Sequence, residues 1–315
     1  MSCTSPRSTA ASCIGSRPSE PVAEPLSRRI PLDTGLTLHV LEWGAGDASL
    51  DHTVVLVHGF LDLAWSWAPV VDAGLAGRFH VVAPDMRGHG DSDRVGAGGY
   101  YHFLDYVADL HALLPAVRRA RLSLVGHSMG GSIASYYTGA FPDAVDRLAL
   151  LEGVGPPESA DSAPERVRQW LAGVARVRAR AHPGYATIDE AARRLRAHDP
   201  LLDEPLARFL AAKGTARGDD GRYRFKHDPL HVTRGPYPFR VATAAEFWRQ
   251  IACPVLLVEG AESAFRLAPD DLERRYACFA NRRRVELAGA GHMMMRHRPA
   301  ELARALADFL GDARR

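Results

Sequence analysis

Ser128 lies at a sharp turn whose residue types suit nucleophilic chemistry. The apolar run 121–125 predicts a buried strand, and apolar residues recur at helical spacing after the serine. Gly126 and Gly130 stand two positions to either side of Ser128, as a strained strand-to-helix turn requires. Such a turn exposes the hydroxyl at the carboxyl end of the sheet, beside the positive end of a helix. The stretch therefore predicts a serine nucleophile.

The segment Gly-His-Ser-Met-Gly, residues 126–130, resembles the nucleophile turn of the α/β-hydrolase superfamily. The resemblance extends from about Ile30 to Leu310. It implies a mostly parallel eight-stranded sheet flanked by helices, with a mainly helical cap between strands six and seven. It also implies a serine, an acid and a histidine in that chain order, with no cofactor and no metal.

The resemblance places the general base at His292. A predicted last strand, 285–287, is followed by the loop Ala-Gly-Ala-Gly-His and then by a closing helix. In this family such a loop carries the histidine that takes the serine proton and returns it to the leaving group. His297, one turn further on, is expected at the surface.

The acid is predicted to be Glu152, with Glu262 as the alternative. Most members of the family carry an aspartate three residues after the glycine that ends the seventh strand, and this chain has Ser263 there. A hydroxyl cannot stabilise an imidazolium as a carboxylate does. In a subset that resembles haloalkane dehalogenases, the acid follows the sixth strand, where this chain has Glu152. Parallel strands place that residue on the same edge of the sheet as the serine.

Backbone N–H groups of Phe60 and Met129 are the expected oxyanion hole. In the family, one donor follows a His-Gly pair after an early strand, and the other follows the nucleophile. The histidine of that pair, His58, is expected to hold its loop by hydrogen bonds. Asp85 and Arg87, in the loop after the next strand, are expected to form a salt-bridged scaffold.

The chain divides into four predicted parts: an extension at 1–29, a first core segment at 30–154, a helical cap at 155–247 and a second core segment at 248–315. The extension is rich in Ser, Pro and Ala without a continuous apolar region, so disorder is expected. Thr187–Glu190 is a capping box that opens one of the cap helices. The apolar stripe of the first cap helix is expected to roof the active site, to fix the cap to the core, or both.

The composition excludes several classes of partner. The chain has 39 basic and 37 acidic residues among 315, which indicates no nucleic acid partner. Its four cysteines show no tight spacing, so a reducing, cytoplasmic location is expected. No apolar run has the length of a membrane span. No sequence pattern indicates an oligomeric state.

The sequence therefore predicts a serine hydrolase that cleaves a small carboxylic ester through an acyl-enzyme. Haloalkane dehalogenases and epoxide hydrolases need an aspartate nucleophile, which Ser128 cannot replace. Carbon–carbon bond hydrolases of ring-cleavage products use serine, but they typically have Asn at the position of His127. They remain an alternative, as does a non-enzymatic ligand receptor built on this fold. The best overall likeness is to serine hydrolase-like proteins.

Overall fold

One eight-stranded sheet organises the protein, as described by a computed structural model for residues 24–179 and 183–311. The strands in chain order, including the separate hairpin formed by β7 and β8, are β1 (Leu26–Pro31), β2 (Thr37–Trp43), β3 (His52–Val57), β4 (His80–Pro84), β5 (Arg121–His127), β6 (Arg147–Leu151), β7 (Thr215–Arg217), β8 (Tyr223–Phe225), β9 (Val255–Gly260) and β10 (Arg282–Leu287). The sheet order is β1-β2-β4-β3-β5-β6-β9-β10. β2 pairs antiparallel with β1 and with β4, and the other neighbouring pairs in this sheet are parallel. The predicted fold class is confirmed.

Helices cover both faces of the sheet, and others form the cap. In chain order they are α1 (Ala68–Val70), α2 (Phe103–Val117), α3 (Met129–Ala140), α4 (Ala163–Ala179), α5 (Ile188–His198), α6 (Glu204–Gly214), α7 (Val241–Gln250), α8 (Pro269–Tyr276), α9 (Met294–His297) and α10 (Pro299–Gly311). In the described part of the chain, none of these helices is both long enough and apolar enough to cross a bilayer.

The central strands are buried on both faces, which explains their continuous apolar runs. In β3, Val55 and Val57 pack into the cluster that includes α2, α3 and α7. Val54 and Leu56 point to the opposite face and pack with α10. This alternation follows from the two-residue repeat of a strand. Two packed faces hold the carboxyl ends of β3, β5, β6 and β9 along one rigid edge.

The first strand begins at Leu26, earlier than the predicted start of the folded chain at residue 30. Most of β1 is exposed, so its sequence has few of the large apolar residues that signal a strand. Pairing with β2 holds it in the sheet, and Arg28 forms an ion pair with Glu42 at 2.6 Å. Residues 26–29 are therefore part of the sheet. The predicted disorder of the extension concerns, in residues 1–23, a part of the chain that the structure does not describe.

The cap comprises α4, α5, α6 and the β7–β8 hairpin. The inner faces of α5 and α6 form a small apolar cluster that includes Leu63 of the core. By contrast, α4 contains no fully buried residue. The predicted cap boundary at residue 247 falls inside α7. That helix packs on α3, where Trp248 donates a hydrogen bond to Ser135 at 3.1 Å, so the core resumes with α7.

Candidate active site

Ser128 lies at the turn between β5 and α3 in a strained backbone conformation. Its φ and ψ angles are 51° and −116°, a region that residues with a side chain rarely occupy. Crowding explains the glycines around it. A Cβ on Gly126 would lie 2.4 Å from the carbonyl oxygen of Gly130, and one on Gly130 would lie 2.2 Å from that of Val57. The sequence at this turn is therefore dictated by close backbone packing.

The backbone of Ser128 is anchored, but its hydroxyl is not. The Ser128 N–H donates to the carbonyl oxygen of Leu151 at the end of β6, 2.9 Å away. Its carbonyl oxygen accepts from the N–H of Gly131 at the start of α3. Within residues 24–179 and 183–311, the Ser128 hydroxyl makes no hydrogen bond. A partly exposed hydroxyl on a fixed backbone is available for chemistry.

His292 and Glu152 are in direct contact on the same edge of the sheet. The Nδ1 atom of His292 lies 2.6 Å from Oε2 of Glu152, and the two side chains are 17% and 10% exposed. Glu152 follows β6 with a φ of 45°. An ionised carboxylate only accepts, so Nδ1 carries a proton and neutral His292 presents Nε2 as a proton acceptor. This is the tautomer that a general base needs.

Three donors hold the Glu152 carboxylate. Oε1 accepts from the N–H of Gly260 at 3.0 Å, and Oε2 accepts from the Ser263 hydroxyl at 2.7 Å as well as from His292. Burial raises the pKa of Glu152, but these hydrogen bonds outweigh burial and leave the pKa below its ordinary value. The carboxylate is therefore ionised at neutral pH and ready to stabilise an imidazolium.

Glu262, the alternative acid, lies apart from the imidazole. Its side chain is exposed, and its N–H donates to the carbonyl oxygen of Ala290. In the part of the chain that the structure describes, its carboxylate has no hydrogen bond and no ion pair. The structure brings Glu152, and not Glu262, to His292.

The predicted oxyanion donors lie beside Ser128. A Cβ on Gly59 would be 3.3 Å from the Cβ of Ser128, so the loop that carries Phe60 packs directly against the serine. Met129 is the first residue of α3, where N–H groups have no partner within the helix. Neither the Phe60 nor the Met129 N–H donates to another atom of the described residues. Among the described residues both N–H groups are thus unbonded, as the predicted oxyanion hole requires.

His58 fixes this loop, as predicted. Its Nδ1 donates to the carbonyl oxygen of Gly59 at 2.7 Å, and its Nε2 accepts from the N–H of Met86 at 2.9 Å. Both ring nitrogens are thus occupied. The His58 imidazole links the loop after β3 to the loop after β4 and has no nitrogen left for proton transfer.

Asp85 and Arg87 form the expected scaffold. Arg87 pairs with buried Asp109 at 2.5 Å. Asp85 accepts from the N–H of Ala64 at 2.7 Å and from the ring of His39 at 2.7 Å. Side-chain atoms of His39, Asp85 and Asp91 lie within 4.8 Å of one another. Both oxygens of Asp85 already accept hydrogen bonds, one of them also from the N–H of Asp91, so a structural role fits this group better than a cation site.

His127, the residue before the nucleophile, holds the loop that carries the predicted base. No role was predicted for it. Its Nε2 lies 2.8 Å from the carbonyl oxygen of His292, which can only accept, so Nε2 carries the proton. Burial and the neighbouring His292 lower the pKa of His127 to about 3. A neutral, buried His127 therefore fixes the backbone that carries His292.

The side chain of His297 is only 3% exposed, so its predicted surface position was wrong. Its Nε2 lies 2.7 Å from Oδ1 of Asp199 in the cap, and its Nδ1 accepts from the N–H of Gly291. Arg296 bonds to Asp62 at 2.6 Å, in the loop that follows Phe60. Because these partners are distant in sequence, no local pattern predicted the contacts. They tie the His292 loop to both the cap and the oxyanion loop.

Two exposed phenylalanines lie at the site. The ring of Phe265 is 4.7 Å from that of His292 and is 73% exposed, and Phe60 is 49% exposed. Large apolar side chains that remain in contact with water commonly mark a binding surface. The surroundings of the Ser128 turn are therefore partly apolar.

Comparisons with known proteins agree with this architecture. The sequence profile described as alpha/beta hydrolase fold matches residues 52–295. Because this match covers more than half of the sequence, the chain belongs to the α/β-hydrolase family. The suspected membership is thereby confirmed.

The relatives include proteins described as serine hydrolase-like. One from Danio rerio is 26% identical over 292 residues, which are 90% of this chain and 87% of the relative. An uncharacterised protein of Mycobacterium tuberculosis is 40% identical over 102 residues, which are 32% of this chain and 29% of that protein. The chain thus matches less than a third of that mycobacterial relative.

Solved structures match over most of the chain. A thioesterase domain from the curacin biosynthetic pathway has a TM-score of 0.78 and 27% identity, with 90% of this chain and 99% of that domain covered. A hypothetical protein of Pseudomonas aeruginosa PAO1 has a TM-score of 0.78 and 28% identity, with 91% and 98% covered. The chain is similar to both over its core and cap.

Proposed function

We propose that the protein is a serine hydrolase that cleaves carboxylic esters with Ser128, His292 and Glu152. The observation that carries the proposal is the 2.6 Å contact between His292 and Glu152 beside the strained serine turn. Acyl transfer needs a nucleophile, a base in the correct tautomer and a charge that stabilises the imidazolium. The relatives described as serine hydrolase-like support the same class.

In the proposed mechanism, Nε2 of His292 takes the Ser128 proton while Oγ attacks the ester carbonyl carbon. The negative charge on the tetrahedral intermediate is bound by the N–H groups of Phe60 and Met129. His292 then protonates the leaving alcohol, and an acyl group remains on Oγ. Water deprotonated by His292 hydrolyses this acyl-enzyme and restores Ser128.

The substrate is proposed to be a small molecule with an apolar portion. Phe60 and Phe265 are exposed at the site. An apolar acyl or alcohol group that covered them would remove apolar surface from contact with water, which favours binding. A thioester is a second candidate substrate class, because one of the similar solved structures is described as a thioesterase domain. The same residues would act on it, with a thiol as the leaving group.

The test is covalent labelling with a fluorophosphonate combined with hydrolysis of a short p-nitrophenyl ester and the matching thioester. We expect one label per chain, on Ser128, and loss of both labelling and turnover in Ser128→Ala. The matched control is Ser132→Ala, one turn further along α3, which should retain both. Circular dichroism checks that each variant is folded.

Two outcomes would contradict the proposal. A label on another serine would exclude Ser128 as the nucleophile. Stoichiometric labelling of Ser128 without turnover of any ester or thioester would favour the receptor alternative or the carbon–carbon bond hydrolase alternative, and a ring-cleavage product would then be the next substrate to measure.

A further inference from the structure

Ser263 stands where the family resemblance places a carboxylate, and its hydroxyl contacts the acid of the neighbouring strand. The Ser263 side chain is buried. Its Oγ lies 2.7 Å from Oε2 of Glu152, and that same oxygen lies 2.6 Å from Nδ1 of His292. One carboxylate oxygen is thus shared between the imidazole and this hydroxyl.

The direction of the Ser263 proton follows from its second contact. The N–H of Phe265 donates to Ser263 Oγ at 3.2 Å, so the oxygen acts as an acceptor on that side. The ionised Glu152 carboxylate can only accept. The hydroxyl proton must therefore point at Oε2, and its rotation is fixed from both sides.

We propose that Ser263 is a positioning residue that holds the Glu152 carboxylate in the orientation that His292 requires. The inference rests on the proposed function, because it assigns Glu152 as the acid. Without the hydroxyl, the N–H of Gly260 would hold only Oε1, and the carboxylate could rotate away from the imidazole. Hydrogen bonds to a charged group are among the stronger ones in proteins.

A purely structural role for Ser263 makes different predictions. The same hydroxyl could merely stabilise the loop that follows β9. Its loss would then lower stability, but it would leave the Glu152–His292 contact and the rate of the chemical step unchanged. The experiments below separate these two roles.

The first experiment removes and restores the hydroxyl. Ser263→Ala should lower kcat by roughly tenfold to a hundredfold, the scale of one hydrogen bond to a charged group, with KM within about twofold because no substrate contact is lost. Ser263→Thr retains a hydroxyl and should recover most of the rate. The low-field proton resonance of His292 Nδ1–H should shift in the alanine variant and return in the threonine variant.

The second experiment moves the acid to position 263. Glu152→Gln removes the charge, and adding Ser263→Asp supplies a carboxylate next to the position of Oε2. This double variant should be at least about tenfold more active than a second double variant, Glu152→Gln with Ser263→Asn. Asparagine has the same shape as aspartate but carries no charge. In the wild-type background, Ser263→Asp adds a negative charge that favours the imidazolium, so the acid limb of the kcat/KM profile should move to higher pH.

The outcomes distinguish this inference from the proposed function. Wild-type kcat in Ser263→Ala, together with an unshifted Nδ1–H resonance, would overturn the positioning role even if Ser128→Ala is inactive. Equal activity of the aspartate and asparagine double variants would also contradict it. If Ser128→Ala keeps its turnover, the proposed function fails, and the resonance still reports whether Ser263 orients the pair.

Discussion

The core strands and the first cap helix, α4, differ in how deeply their side chains are buried. Val54, Val55, Leu56 and Val57 in β3 are 0% exposed, whereas no residue of α4 is fully buried and its Leu171 is 54% exposed. The catalytic candidates all lie on the core side, at the ends of β3, β5, β6 and β10. The difference indicates that the core fixes the geometry of the site, while α4 can change its contacts at a smaller cost in stability.

The largest expected effect on kcat distinguishes the two candidate acids. Glu152→Gln should keep the fold but lower kcat by up to about 10⁴-fold, because the imidazolium loses its charged partner. Glu262→Gln should change kcat by less than about tenfold, since that carboxylate is outside the proposed catalytic unit. Both variants are measured on the same ester, with circular dichroism as the folding control. The reverse ranking would move the acid to Glu262.

A second prediction compares one buried side chain of the core with one exposed side chain of the cap. Trp248→Ala should lower the free energy of unfolding by about 3–5 kcal/mol, because it removes a fully buried ring and leaves a cavity. Leu171→Ala on α4 should cost less than about 0.5 kcal/mol. Urea denaturation measures both. A cost above about 2 kcal/mol for Leu171→Ala would show that a partner covers α4.

A third prediction concerns pH at the junction of the two regions. His231, in the segment between the β7–β8 hairpin and α7, bonds to the Tyr106 hydroxyl of α2 at 2.7 Å, and burial lowers the pKa of His231 to about 4. Between this value and the ordinary pKa of about 6.5, the unfolded chain binds the additional proton. Stability should therefore fall as the pH decreases through this window, by about 2 kcal/mol between pH 7 and pH 5 for this residue alone.

The measurement is the urea midpoint of wild type, His231→Asn and His198→Asn at both pH values. His198 is exposed on α5, so its replacement should leave the pH dependence unchanged. His231→Asn should reduce that dependence. Equal pH dependence in all three proteins would mean that His231 is not neutral and buried in solution.

A fourth prediction concerns a helix cap within the cap region. The Thr187 side chain accepts from the N–H of Glu190 at the start of α5, which confirms the helix start that the capping box predicted. Thr187→Ala should cost about 1 kcal/mol of stability, with kcat for the ester within about twofold of wild type. Denaturation and steady-state rates check the two parts. A loss of kcat comparable with that of Glu152→Gln would contradict the division of roles between cap and core.

The sequence was informative wherever the signal was local. The strand, turn and helix around Ser128 are contiguous, and so are the strand, loop and helix around His292; the structure has these elements where the patterns predicted them. Their catalytic roles remain predictions. The fold class was implied by the resemblance of the Ser128 turn to that of the α/β-hydrolase superfamily, and the observed sheet confirms it.

Contacts between distant residues could not be predicted from local sequence patterns. The bond between Ser263 and Glu152 joins positions 111 residues apart, and the bond from His127 to His292 joins positions 165 apart. The burial of His297 depends on Asp199, 98 residues away. The choice between Glu152 and Glu262 was open for the same reason, because each follows a strand and only the side-chain geometry distinguishes them.

The pairing of β6 with β9 has a consequence for chain entropy. These strands are neighbours in the sheet, yet the whole cap is inserted between them. The entropic cost of closing so long a loop grows only with the logarithm of its length, by about 0.6 kcal/mol for each doubling. Insertions or deletions in the cap should therefore hardly affect the closure of the sheet. Cap length is accordingly a property that can diverge among related chains while Glu152 and Ser263 stay in contact.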